Sequence, residues 1–382
     1  MRKFLKYTAG VLVFVITVVI VVYVATGPAQ PAADSPSAAW LQSGPYAVGS
    51  REFSFVDTSR PTNANRDAPA KPERTFLTTI WYPESAETDI SDHPLIVHSH
   101  GILSNRNEMP YLMQALASNG YVVLATDYPL SSGSAEGGAT PDDVANQAGD
   151  IHFLINSVLN LAREEKPFNG NTDANRIGLS GYSLGGLTTN IATYHTRLRE
   201  PRIKAAVSIA GLAAAFSPTF FSTTDIPYLA IAGTADALIE YRRQAADLPD
   251  KVSNASLITI EGGSHLGFLG AADPTFRFMA NPDSIGCGGV LAVVGDNPNA
   301  AFATLGTVEE GIDLQRDLPG LCEGELLEAL HPGRQRMITQ IAVLSFFESV
   351  FNENRSRRDE AWRELTQHLA ADFPESSYRG RY

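Results

Sequence analysis

A serine ringed by glycines stands in Gly181-Tyr182-Ser183-Leu184-Gly185-Gly186. An apolar run at 176–180 precedes it and a helix-like stretch at 184–197 follows. Gly-x-Ser-x-Gly between a strand and a helix is the spacing of a nucleophile elbow. The serine sits in a strained turn there, and its neighbours must be small because strand and helix cross at short range. The helix N-terminus then turns free N–H groups and positive dipole toward any developing oxyanion. The chemistry implied is attack of Ser183 on a carbonyl. A plain turn serine would need neither the flanking elements nor the third glycine, Gly186.

Such a serine needs a base, and the chain has eight histidines. His265, in Glu261-Gly262-Gly263-Ser264-His265, follows the last apolar strand, on a glycine-rich loop able to carry an imidazole over the sheet edge. Asp236, in Gly233-Thr234-Ala235-Asp236, follows the strand at 225–232. The order Ser183, Asp236, His265 is that of nucleophile, acid and base, each at the C-terminal end of a strand. Taken singly, His265 could be an ordinary loop histidine and Asp236 a helix N-cap before 237–246. Glu261 is the reserve acid.

His98-Ser99-His100-Gly101-Ile102 ends another strand, where a backbone N–H can complete an oxyanion hole. The donors expected are the N–H groups of Ile102 and Leu184. His98 and His100 also have the i, i+2 spacing of metal ligands on a strand. No carboxylate or cysteine stands close in sequence and Gly101 favours a turn, so no metal is expected. Nor does the chemistry need an organic cofactor.

The elements that would carry these residues alternate apolar runs with helical stretches, the pattern of α/β architecture with a largely parallel sheet. Strands are expected at 75–82, 94–99, 121–127, 176–180, 203–210, 225–232 and 256–261. Helices are expected at 108–119, 141–163, 184–197, from 237, and at 334–351. A charged helix at 358–370 is expected to end the ordered chain. Residues 267–332 are rich in Gly, Pro and Asp and break the rhythm, so they read as an insertion. It is either a lid, because it follows His265 directly, or a stability appendage.

The 382 residues are 44% hydrophobic, ample for a large core. Arg2, Lys3 and Lys6 precede an uncharged run at 7–26. A helix needs about 20 apolar residues to cross a bilayer. The charge bias favours a cytoplasmic N-terminus and an exported body, periplasmic or extracellular, through a membrane anchor or a cleaved signal peptide. Residues 27–45 read as a flexible tether, and the catalytic domain spans 46–352, followed by a charged helix and tail at 353–382. Without the three leading cations the body has 26 basic against 42 acidic residues, a net −16. That charge disfavours nucleic acid and adhesion to anionic lipid. In an exported chain Cys287 and Cys322 are most simply one disulfide closing 35 residues, worth about 3 to 4 kcal/mol.

The elbow, the Gly-Thr-Ala-Asp stretch and the Gly-Ser-His loop resemble those of α/β-hydrolases. Ser99-His100-Gly101, the following stretch 105–127, the segment 46–60 and Ile80-Trp81-Tyr82-Pro83 are similar to the platelet-activating-factor acetylhydrolase and dienelactone-hydrolase-like group. That resemblance covers 44–268 and the terminal helix. It implies an α/β-hydrolase fold, the triad and oxyanion residues named above, and esterase activity on short acyl groups. Ser183 departs from dienelactone hydrolases proper, whose nucleophile is cysteine, and the 267–332 insertion matches the group poorly. Bacterial polyester hydrolases share the elbow and the acid loop. The expected substrate is a small-molecule or lipid ester, with a lactonase, polyesterase or peptidase on the same triad as alternatives. A catalytically inactive binding module is the reading from another class, and it has no need of an intact triad. Tyr128 and Tyr182 are candidate walls of an acyl pocket.

Overall fold

The computed structural model describes residues 2–84, 92–164, 171–294, 302, 304–316 and 318–380. It separates into Met1–Gln30 and Pro31–Tyr382. In the first unit, α1 runs from Arg2 to Ala25. Its described side chains begin at Leu12 and are largely exposed. Among the described residues no helix is long and apolar enough to cross a membrane.

The second unit is built on one nine-stranded sheet in the order β1-β2-β4-β3-β5-β6-β7-β8-β9. Its strands are β1 (Ala47–Asp57), β2 (Arg74–Glu84), β3 (Asp92–Ser99), β4 (Val122–Asp127), β5 (Asn171–Tyr182), β6 (Ile203–Ile209), β7 (Tyr228–Gly233), β8 (Ala255–Ile260) and β9 (Ser376–Gly380). Neighbours from β4 through β8 are parallel, while β1, β2 and β9 join antiparallel at the two edges. The central strands are apolar on both faces because helices cover both. Along β3, Leu95 and Val97 enter one core and Ile96 the other, the period-2 alternation of a strand.

One face is covered by α4 (Val144–Glu164) and α5 (Leu184–Tyr194), the other by α3 (Pro110–Ser118). On that second face α7 (Pro332–Phe351) and α8 (Arg355–Arg363) also pack. Between α5 and α7 in sequence, α6 (Asp283–Val294) belongs to the insertion.

Four differences from the sequence reading have physical causes. The stretch expected as a tether is part of the body from Pro31, with helix α2 (Pro36–Trp40) inside it. Trp40 is buried under the Arg357 guanidinium, 3.9 Å from the ring centroid, and the Ser37 amide donates to Asp372. Composition suggested a linker; one aromatic with a cationic partner overrides it. The tail expected after the charged helix instead forms β9, which completes the sheet edge on β8. The helix expected from 237 is two single turns, Tyr241–Gln244 and Leu248–Lys251. Pro249 stands in the first turn of the second and cannot continue the first. The insertion is not a free flap, because Phe302, Leu305 and Ile312 are buried in the core against Phe216 and Phe220. Cys287 and Cys322 are disulfide-bonded across 35 residues.

Candidate active site

The elbow follows from the register of the central strands. Ser99 at the end of β3 lies opposite Gly181 on β5. Tyr182 ends β5, Ser183 takes φ 55° and ψ −117°, and α5 starts at Leu184. That is the left-handed half of the map, costly for a residue with a Cβ and held here by the packing around it. A Cβ on Gly181 would stand 2.0 Å from the Gly185 carbonyl oxygen, and one on Gly185 would stand 1.9 Å from that of Ser99. A Cβ on Gly186 would stand 2.6 Å from the Gly211 Cα, still too close for a side chain. The glycines therefore exist for approach. Gly185→Ala is expected to lower stability by about 2 to 3 kcal/mol through forced backbone displacement and to remove esterase activity. A chemical denaturation midpoint beside a turnover assay checks this, and an unchanged midpoint with full turnover would refute the packing argument.

The structure brings Ser183, His265 and Asp236 together. The His265 Nε2 lies 2.9 Å from the Ser183 Oγ, and its Nδ1 lies 2.7 Å from the Asp236 Oδ2. All three are buried, at 7%, 3% and 5% exposure, so their interactions are shielded from bulk water. Asp236 also keeps the local role weighed for it: its Oδ1 accepts from the Leu238 and Ile239 amides. One oxygen fixes the loop and the other faces the imidazole. Burial pulls the His265 pKa down, but the charge and hydrogen bond of Asp236, then the charges of Asp283 and Glu108, outweigh it and hold the imidazole above its ordinary 6.5. Glu261 is exposed, and its amide pairs with the Glu375 carbonyl.

Ile102 and Leu184 both line the cleft that holds Ser183 and His265. Neither amide has an acceptor among the described residues. Two neighbours shape the Ile102 turn. Glu108 accepts from the Gly101 amide with one carboxylate oxygen and lies 3.0 Å from the His98 Nε2 with the other. His100 accepts the Tyr128 amide at its Nε2, and burial holds that imidazole's pKa down. His98 completes its bonding at the Ser180 hydroxyl. Both histidines are thus hydrogen-bonded to main-chain and side-chain groups around the Ile102 turn. Among the described residues no group of histidine, cysteine and acidic side chains could hold a metal.

The cleft is small, with room of about 40 Å³, and is walled by aliphatic side chains, among them Leu187, Leu212, Leu238 and Ile239. The insertion supplies its far wall with Val290, Val294, Phe302 and Leu321. The tyrosines considered as acyl-pocket walls serve elsewhere. The Tyr182 ring lies tilted at 4.9 Å from the His265 ring, and its hydroxyl donates to the His265 carbonyl. Tyr128 is fully buried, bonded to the Ser99 hydroxyl. Sequence reasoning missed Glu108 and a second buried acid, Asp283, whose roles rest on backbone N–H groups that no motif records.

A mostly parallel sheet with antiparallel edges, a strained serine between β5 and α5, and a buried Ser–His–Asp chain define an α/β-hydrolase. The family described as PETase, PET hydrolase-like, matches residues 42–281, and the chain belongs to it. It is therefore a hydrolase of ester bonds. No curated protein matches the chain.

Proposed function

We propose that this chain is a serine carboxylester hydrolase that acts through an acyl-enzyme at Ser183 on esters with a short aliphatic acyl group. The observation that carries the reading is the coupling of Ser183 through His265 to Asp236 at an aliphatic cleft. His265 takes the Ser183 proton as the hydroxyl attacks the ester carbonyl, and Asp236 holds the imidazole tautomer. The Ile102 and Leu184 amides stabilise the oxyanion, each worth about 3 to 4 kcal/mol in the transition state. The imidazolium returns its proton to the departing alcohol, and water activated by His265 then releases the acid.

The cleft's small volume and lack of charged wall groups favour a small uncharged acyl chain, and the insertion contributes Val290, Val294, Phe302 and Leu321 to its walls. The likeness to platelet-activating-factor acetylhydrolases supports the same acyl class on a lipid ester. Family membership favours a second reading, hydrolysis of a polyester. The disulfide fits an oxidising, exported location, with residues 1–26 as the exporting or anchoring segment.

A series of p-nitrophenyl esters from acetate to laurate tests the reading. Acetate to butyrate should give the highest kcat/KM, with octanoate lower by about tenfold or more, since a chain that overfills a packed pocket loses binding energy. Efficiency that rises steadily with chain length would refute the short-acyl assignment. Release of soluble fragments from polyester powder at rates above those on butyrate would establish the second reading.

A further inference from the structure

Asp283 is fully buried at the start of α6, inside the insertion, and the hydrolytic steps above make no use of it. Its Oδ2 accepts from the Ala237 amide and the His265 amide, both at 2.9 Å, and its Oδ1 accepts from the Leu266 amide at 2.8 Å. Ala237 directly follows Asp236, so one carboxylate grips the loop of the acid and the loop of the base. Asn281 extends the clamp. Its side-chain oxygen accepts the Asp283 amide, and its Nδ2 donates to the Ala235 carbonyl on the other side of Asp236.

We propose that Asp283 is a positioning residue for the Asp236–His265 pair, which makes the insertion a working part of the catalytic site. This rests on the esterase reading of Ser183. Burial and the neighbouring Asp236 charge push the Asp283 pKa up, while the His265 charge and the amide hydrogen bonds favour its carboxylate form. Such charge-assisted bonds are strong, and the carboxylate is satisfied only when both loops are in place. The charged groups facing the imidazole are Asp236, Asp283 and Glu108, while Tyr182 packs on it as a neutral phenol. Asparagine at position 283 cannot accept from all three amides, since one of its two polar atoms is a donor. It also removes an anion that favours the protonated imidazole.

The test compares wild type, Asp283→Asn, Asn281→Ala and Ser183→Ala on p-nitrophenyl acetate across pH, with the low-field Nδ1 proton of His265 followed by NMR. For Asp283→Asn, kcat is expected to fall by about tenfold to a hundredfold through misplacement of the pair, with KM changed by less than about twofold. The acidic limb and the His265 titration should both move to lower pH. Asn281→Ala keeps the charge and should lower kcat without moving the limb. Wild-type kcat and an unmoved titration in Asp283→Asn would overturn the proposal, as would wild-type kcat in Asn281→Ala should Asp283→Asn fail to fold. Ser183→Ala with wild-type turnover would sink the esterase reading instead, and the NMR titration would still decide the role of Asp283.

Discussion

Ser183→Ala is expected to lower kcat on short esters by a factor on the order of 10⁶ while the protein stays folded. The hydroxyl makes one hydrogen bond within the site, to the His265 Nε2. The strained φ of 55° is set by α5, β5 and the close glycines and persists with alanine. Nothing in the core is lost, so the denaturation midpoint should match that of the parent. What disappears is the oxygen proposed to form the acyl-enzyme. Residual hydrolysis from the Ile102 and Leu184 amides would remain above the uncatalysed rate. Steady-state turnover beside circular dichroism checks both halves, and wild-type turnover in a folded variant would end the assignment.

Asp236→Asn is expected to cost on the order of 10⁴ in kcat, because an amide nitrogen facing His265 Nδ1 favours the wrong tautomer. It should also move the pH profile. His265 acts as a base only when neutral, so activity falls as pH drops through its folded pKa. Burial lowers that pKa and the acidic neighbours, Asp236 first, raise it above 6.5. Removing the Asp236 charge therefore shifts the acidic limb downward. A kcat/KM profile of the residual activity tests this, and an acidic limb that stays in place would contradict the coupling.

The meeting of Ser183, His265 and Asp236 was legible because its signals are local. Gly181 through Gly186 encode an approach that only glycine permits, and Asp236 and His265 each follow an apolar strand whose end the sequence marks. The parallel core was legible for the same reason, as runs of Val, Ile and Ala buried on both faces. What escaped is defined by partners far along the chain. Asp283 acts on amides 46, 18 and 17 residues away, and no residue type announces an acceptor for a distant backbone. β9 is five mostly polar residues that become a strand only by pairing with β8. Trp40 turned an apparent linker into a docked segment through Arg357, over 300 positions on. The insertion read as a break in rhythm because its apolar residues, Phe302, Leu305 and Ile312, are spaced for contact with β6–β7 loop aromatics and not for a periodic face.

The central claim is that Ser183 becomes covalently acylated in turnover. Wild-type enzyme mixed with p-nitrophenyl butyrate and quenched in acid at steady state, then digested and weighed by mass spectrometry, tests it directly. A butyryl adduct on the peptide containing Ser183, absent from Ser183→Ala, is the predicted result. Sustained turnover with Ser183 unmodified and the acyl group carried elsewhere, or carried nowhere, would contradict it.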